Sequence, residues 1–508
     1  MQLRVRHIAR NVMSNWLATI ANMAVGFFLA PFIVYRLGTV GYGVWVLAIS
    51  AVNYLGLLDL GMRSSVLRFV SKGHTKGDHT GASAAISAAI WVRLQISALV
   101  LILSGLLALV FDRIFHIPPM LASDARHAVL IIGLTTAVTM SLGVFGGVLS
   151  ALNRYDLNSA VSVLQLAFRV TGVVLVLRSG HGIVAIALCE FVAAAAGNLA
   201  LYVIARKIYP QLQIRLTKPK GEVLRQLWSY SYYAFLITVA VQLVYQTDNL
   251  VVGAFVSASA VTYYSIGNSL CRYTDQLVGA MTLTFVPAAS NFEAAGDTAK
   301  LQGLYRNGTR AMMTISLPIL VTLMTRGRAF IGLWMGPQYV QQSGTVLIIL
   351  ATALFFSLSN NTASAIAFGI EKHKITAKWS VVEAVLNLVL SIALAHWFGL
   401  YGVALGTLIP SLFVQVILWP FFLAKAVGIG GPDVVWGAWG PMFMAAVPFA
   451  IVSYGMNQYF PAHSMIVFFL QTLAIVPVFL ITVAMIFRRY VLSQILPRVR
   501  SYFAAHAG

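Results

Sequence analysis

Residues 83–111 read SAAISAAIWVRLQISALVLILSGLLALVF, a run of 29 in which only Arg93 carries a charge. A helix rises about 1.5 Å per residue, so this run is long enough to cross a hydrocarbon core about 30 Å thick. Similar runs recur along the chain. They predict spans over 14–36, 41–62, 83–111, 127–152, 157–178, 182–205, 228–256, 259–288, 308–333, 343–369, 376–398, 401–424, 437–458 and 464–487. Of 508 residues, 59% are hydrophobic and 9% charged, against roughly 25% charged in soluble domains. So much apolar surface has no polar cover in water, and lipid is the expected solvent. The fold class is therefore an all-α membrane protein of about fourteen transmembrane helices.

Charge placement gives an orientation. With the N-terminus in the cytoplasm, 25 of the 34 lysines and arginines fall on the cytoplasmic side, six (Arg36, Arg113, Arg126, Arg178, Arg326 and Arg328) on the other, and three inside spans. This satisfies the positive-inside rule and puts both termini in the cytoplasm. Basic loops facing anionic headgroups also explain the net charge of +20 without nucleic acid. The basic start (Arg4, Arg6, Arg10) leads into a span too long for a signal peptide. Cys189 and Cys271 lack metal or redox spacing and read as small core residues.

The chain repeats itself at about 219 residues. SKGHTKGDHTGA (71–82) resembles SNFEAAGDTAKL (290–301), and GIVAIAL (182–188) resembles GVALGTL (402–408). Six spans per half is an even number, so both halves insert the same way, related by a pseudo-two-fold axis along the membrane normal. The expected organisation is a six-helix bundle over 1–207, a cytoplasmic loop over 208–227, a second bundle over 228–426, and two further helices with a tail over 427–508. Repeated bundles meeting at a midplane chamber are the architecture of alternating-access transporters.

One stretch carries a family likeness. YRLGTVGYGVWVLAISAVNYLGLLDLGMRSSVLRFVSKGHTKGD (35–78) contains Gly38-x-x-x-Tyr42-Gly43, Asp59-Leu60-Gly61, Arg68-Phe69-Val70 and Gly77-Asp78. It resembles the opening of polysaccharide-biosynthesis exporters of the multidrug, oligosaccharidyl-lipid and polysaccharide exporter superfamily. QTDNLVVGAFVSASAVTYYSIGNSL (246–270) is similar to the start of their second half. The resemblance implies a flippase for undecaprenyl-pyrophosphate-linked oligosaccharides in O-antigen (lipopolysaccharide), exopolysaccharide or capsule synthesis at the bacterial inner membrane. It further implies a polysaccharide polymerase and a chain-length regulator as pathway partners.

A lipid-linked oligosaccharide leaves its tail in lipid, so the protein must shelter only a pyrophosphate and sugars. Arginine suits pyrophosphate, because its planar fork stays charged and donates bidentate hydrogen bonds. A lone charge at the bilayer centre costs roughly 2.5–3.5 kcal/mol, so ionisable groups inside spans should face protein or water. The candidate substrate residues are Arg36, Arg63, Arg93, Arg169 and Arg272, with Asn360 and Asn361 for sugars. Candidate ion-coupling carboxylates are Glu190, Asp248, Asp275 and Glu383.

Each has a plain structural alternative. Arg272 and Asp275 share a helix face and can neutralise one another. Asp59 and Arg63 can form a local pair or cap, and Arg36 can snorkel to headgroups. Arg169 has no acid in its own helix and needs a partner helix or an anionic ligand. The asparagines can be interhelical glue. Gly38, Gly41 and Gly43 read as sites of close packing or kinks rather than hinges.

No catalytic residue, metal site or cofactor is expected. A cation-coupled multidrug exporter of the same superfamily is the competing reading. A membrane polymerase or glycosyltransferase fits less well, because no large acidic external loop or phosphate-binding glycine loop is present.

Overall fold

The computed structural model describes residues 2–59, 62–214, 246–282, 284–428 and 435–488, plus the isolated positions 221, 239, 242 and 430; side chains 1–15, 62–65 and 373–375 are among those outside the description. Arg63, the start of the seventh expected span and the C-terminal tail thus fall wholly or partly outside it. The described residues are mostly helical. The elements are α1 (Gln2–Leu55), a 3-10 turn (Gly56–Asp59), α2 (Met62–Lys76), α3 (His79–Ile114), α4 (Pro119–Leu142), α5 (Val144–Ala151), α6 (Tyr155–Arg178) and α7 (Ile183–Ile208). Then come α8 (Ala258–Thr282), α9 (Phe285–Ala294), α10 (Thr298–Trp334), α11 (Val340–Ser359), α12 (Asn361–Gly369), α13 (His373–Leu412), a π segment (Phe413–Leu418), α14 (Trp419–Val427), α15 (Gly440–Tyr459) and α16 (Met465–Ile486).

Ten of these stretches, among the described residues, are long and apolar enough to cross a membrane. Two of the ten each hold two expected spans. α1 breaks at Gly38 (φ 71°) and α13 at Gly399 (φ 54°), a left-handed backbone that glycine adopts without a Cβ clash. The chain thereby separates the pairs 14–36/41–62 and 376–398/401–424. α8 and the helical stretch 246–255 coincide with the eighth span and the end of the seventh. Large apolar side chains such as Ile102 (61% exposed), Leu109 (65%) and Leu473 (69%) point away from the protein, as lipid-facing residues do.

Two compact units divide the chain, Met1–Thr262 and Tyr263–Gly508. The stretch 246–255 belongs to the first, where Asn249 reaches Ser50 of α1. In the first unit, α2, α3, α5 and α7 close on a core of Val70, Ile86, Val148 and Leu149. In the second, α15 and α16 pack on α10 through Leu317, Met442, Phe449 and Phe479. Cys271 is buried and Cys189 half-buried, both free thiols.

The repeat read from the sequence recurs in backbone geometry. Gly77 (φ 71°) and Gly296 (φ 66°), 219 apart, are both left-handed, as are Gly180 (φ 81°) and Gly399. Asn153 and Glu371, 218 apart, share φ 57°. Asp78 (φ −84°, ψ 76°) caps α3 by accepting from the Gly81 N–H, and Asp297 (φ −88°, ψ 76°) caps α10 by accepting from the Lys300 N–H.

Two features differ from the sequence reading. The stretch 62–76, taken as the end of span two and a loop, is the helix α2, whose period-four charges conceal a buried apolar face. The spans 127–152 and 343–369 are each broken, at Gly143 between α4 and α5 and at Asn360 between α11 and α12. Gly43 is a packing position as expected: a Cβ there would lie 1.8 Å from the Ala258 carbonyl oxygen.

Candidate functional site

Arg93 lies about halfway along α3, only 3% exposed. Ser87, Ala88 and Ala89 on the preceding turns are buried with it, so this part of α3 packs against protein. The guanidinium turns to the 3-10 turn after α1. Its Nη2 sits 2.7 Å from Asp59 Oδ1 and donates to Oδ2 at 2.9 Å. Nη1 donates to the Met140 carbonyl of α4 at 3.1 Å. Asp59 thus reaches a second helix; its expected local partner, Arg63, lies outside the described side chains. The Asp59 side chain stays 25% exposed, so the pair is open on one side. One guanidinium nitrogen thus meets both carboxylate oxygens, while the other is held by a backbone carbonyl.

Arg169 of α6 finds the acid its own helix lacks on α7. Its Nη1 donates to Glu190 Oε1 at 3.3 Å, and both side chains are 31% exposed. Of the two alternatives left by the sequence, the structure supplies the partner helix. Arg169 Nε has no hydrogen-bond partner among the described residues, so the fork is only partly satisfied.

The polar step at 246–249 is fully inside the first unit: Gln246, Thr247, Asp248 and Asn249 are all buried. Ser50 Oγ donates to Gln246 Oε1 at 3.3 Å and accepts from Asn249 Nδ2 at 3.1 Å, while the Tyr54 and Thr247 hydroxyls bond to each other. Asp248 is buried between Thr247 and Asn249, two members of this network, which meets the second arm of α1 at Ser50 and Tyr54.

The second unit gathers a different set. Asn360, at the break between α11 and α12, is 2% exposed and donates from Nδ2 to both the backbone and side-chain oxygens of Gln415. Gln415 in turn donates to Glu383 Oε2 at 2.9 Å. The π segment turns Gln415 toward both. Asn361 begins α12 half-buried, and Arg272 and Asp275 lie half-buried on α8. Arg36 is exposed beside the Phe32 ring, the surface position its place near a span end suggests. The candidates therefore form separate clusters: Arg93 with Asp59, Arg169 with Glu190, Asp248 with the α1 polar groups, and Asn360 with Glu383.

The protein thus holds guanidinium–carboxylate pairs inside apolar helices, in a unit opening with the 35–78 motif stretch. Residues 8–293, over half the chain, match the family described as "Polysaccharide biosynthesis protein". The chain belongs to this polysaccharide biosynthesis family. The matched region contains Asp59, Arg93, Arg169, Glu190 and Asp248. The uncharacterized membrane protein EpsK of Bacillus subtilis (strain 168) is 24% identical over 449 residues, covering 87% of this chain and 88% of EpsK. A probable low-salt glycan biosynthesis flippase of Haloferax volcanii, Agl15, is 23% identical over 427 residues, covering 83% and 84%. The fold is that of a solved lipid II flippase, MurJ, in an inward closed conformation: TM-score 0.71 at 16% identity, over 94% of this chain and 99% of that one.

Two residues of this family member escaped the sequence reading. Gln415 looks like any polar residue in an apolar span until the π segment aims it at Glu383. Arg326, placed by its position at an outer span end, is fully buried, bonds to Gln471 and Thr472 of α16 and stacks 4.5 Å over Phe468. It ties α16 to α10, and no acidic residue pairs with it among the described residues.

Proposed function

We propose that this protein is a flippase that carries undecaprenyl-pyrophosphate-linked oligosaccharide repeat units across the bacterial inner membrane by alternating access. It serves O-antigen, exopolysaccharide or capsule synthesis, and it is a carrier with no catalytic step. One observation carries the reading: the family match falls on the unit that keeps Arg93 and Arg169 paired to carboxylates within its helices. The name of Agl15 and the lipid II flippase fold support it.

The polyprenyl tail stays in lipid while the head group crosses. Pyrophosphate oxygens take the place of the Asp59 and Glu190 carboxylates on Arg93 and Arg169, and the carboxylates return when the head group leaves. A charge without a partner in the bilayer is costly, so exchange of one anion for another keeps both end states accessible. Arg36, Arg63 and Arg272 assist the anion elsewhere on its path, and Asn360 and Asn361 hydrogen-bond sugars. A carboxylate among Glu190, Asp248, Asp275 and Glu383 carries the coupling ion. Both termini lie in the cytoplasm, as the lysine and arginine distribution requires. The repeat limits 1–207 and 228–426 define the halves that alternate, and a polymerase and a chain-length regulator take up the exported units.

The test is depletion of the protein in its own cell, with lipid-linked oligosaccharide measured on the cytoplasmic leaflet. Accumulation there together with loss of surface polysaccharide supports the reading. Unchanged polysaccharide with altered drug sensitivity contradicts it and favours a multidrug exporter.

A further inference from the structure

Three cations of α2 lie in one row. Arg68, Lys72 and Lys76 are four apart and share a face. The other face of α2 is sunk in the core, where Val66 and Val70 meet Val148 and Leu149 of α5. Between the cationic row and the chain leaving α5 lies a cavity of about 570 Å³, lined further by Ser71, Thr75, Asn153 and, on its apolar side, Ala151. Among the described residues no acidic side chain lines it. Arg154 beside it already pairs with Asp156 at 3.1 Å, so the positive field inside comes from α2. The cavity lies at the end of the span pair that joins at Gly77, on the membrane surface and cytoplasmic in the orientation proposed above.

The second unit shows what the same backbone does without this feature. At the 219-residue spacing, Arg68, Lys72 and Lys76 correspond to Pro287, Asn291 and Ala295, on or just after α9. After α5 the repeat is in register at 218 residues, where Asn153 corresponds to Glu371 at the same φ of 57°. Ala151 corresponds to Gly369, where a Cβ would lie 2.7 Å from both Ala289 Cβ and the Val286 carbonyl. There the two helices close tightly and an acid replaces the amide. In the first unit the gap is open and cationic, and no acid lines it among the described residues. A solvated helix face accounts for three cations on α2, but not for a cavity opened beneath them and an uncharged hydrogen-bonding residue where the repeat has glutamate.

We propose that this cavity binds the phosphate group of a lipid head at the membrane surface. Lys72 and Lys76 supply charge, Arg68 a planar fork, and the Ser71 and Thr75 hydroxyls and the Asn153 amide short polar contacts. A resident anionic phospholipid and a polyprenyl pyrophosphate present the same chemistry to it.

The test uses the full-length protein in detergent, with dioctanoyl phosphatidylglycerol and farnesyl pyrophosphate as separate probes, and binding read by native mass spectrometry or calorimetry. K72Q/K76Q weakens binding of at least one probe about thirtyfold, since each lysine near a membrane surface is worth roughly fivefold. K72R/K76R retains binding. N291K/A295K places charge on the closed site and gains none. Loss for phosphatidylglycerol alone identifies a phospholipid site, loss for the pyrophosphate alone a substrate-head site, and loss for both an unselective phosphate site; each supports the proposal. Unchanged affinity for both probes in K72Q/K76Q, with an unaltered melting curve, overturns it. So does an equal gain in N291K/A295K, which would reduce the effect to general surface charge. A failure here leaves the flippase reading intact, because the depletion experiment does not depend on this cavity.

Discussion

Arg93 and Asp59 of the first unit correspond, at the 219-residue spacing, to Met312 and Val278 of the second, 2% and 0% exposed. Arg169 and Glu190 likewise correspond to uncharged positions, 387–388 and 409–410. The backbones agree in their caps and left-handed turns, while the buried ionic pairs sit on one side of the repeat. The second unit buries methionine and valine at those positions, so the repeated fold does not need the ion pair. Replacing a buried pair by apolar residues is often neutral or stabilising. A pair kept where apolar residues would serve the fold points to a use beyond the fold, and the proposed exchange with pyrophosphate gives it one.

The largest expected effect breaks that pair. Arg93→Met leaves Asp59 facing a low-dielectric site alone and lowers stability by about 3 kcal/mol, the lower part of the range for a severed buried pair because Asp59 keeps some exposure. R93M/D59V, which rebuilds the second unit's residues, recovers most of that loss. Denaturant or thermal unfolding in detergent measures both. A double variant as unstable as the single one would break the comparison.

Next comes packing. Gly43→Val drives a side chain into the Ala258 carbonyl and costs about 1–3 kcal/mol as an overpacked contact. The same melting assay reads it, and a neutral result would show that α1 and the start of α8 are free to separate. Glu190→Gln has a smaller effect, about 1 kcal/mol, because the Arg169–Glu190 pair is about a third exposed and screened. R169E/E190R should restore it where E190Q does not.

The smallest effect belongs to the shared caps. Asp78→Ala and Asp297→Ala each cause a slight loss of similar size. The side-chain contact with Lys300 and the Lys300 N–H hold the Asp297 carboxyl below its ordinary range. Its folded pKa is depressed, so its contribution is present above the unfolded value near 3.8 and is lost as pH falls through the folded value. The difference between wild type and Asp297→Asn should therefore shrink below about pH 4, followed by melting temperature against pH.

Much of the architecture was legible because lipid leaves only a few signals, all of them linear. Apolar runs of one length mark spans, glycine and proline mark their ends, and the Gly-Asp loops announced a repeat that the caps at Asp78 and Asp297 reproduce. The helices α2 and α9 were hidden because an amphipathic surface helix and a polar loop share a composition, and only packing partners such as Val148 separate them. The ionic pairs were half visible. The sequence required Arg169 to find a partner off its own helix, and could not choose Glu190 over a ligand. It set Asp59 beside Arg63, four residues away, and gave no sign of the Arg93 guanidinium 34 residues on that also reaches it. Contacts between helices depend on rotation about each axis, which a span boundary does not fix.

The most direct test is translocation itself. Purified protein is reconstituted into liposomes bearing a labelled polyprenyl-pyrophosphate oligosaccharide, and the fraction of head groups reaching the opposite leaflet is followed by an impermeant enzyme that trims the sugar. The wild type should equilibrate the label between leaflets, and R93M/D59V, folded and equally reconstituted, should leave it where it began. Label that crosses as fast with the double variant as with the wild type, or that crosses with neither, would contradict the account.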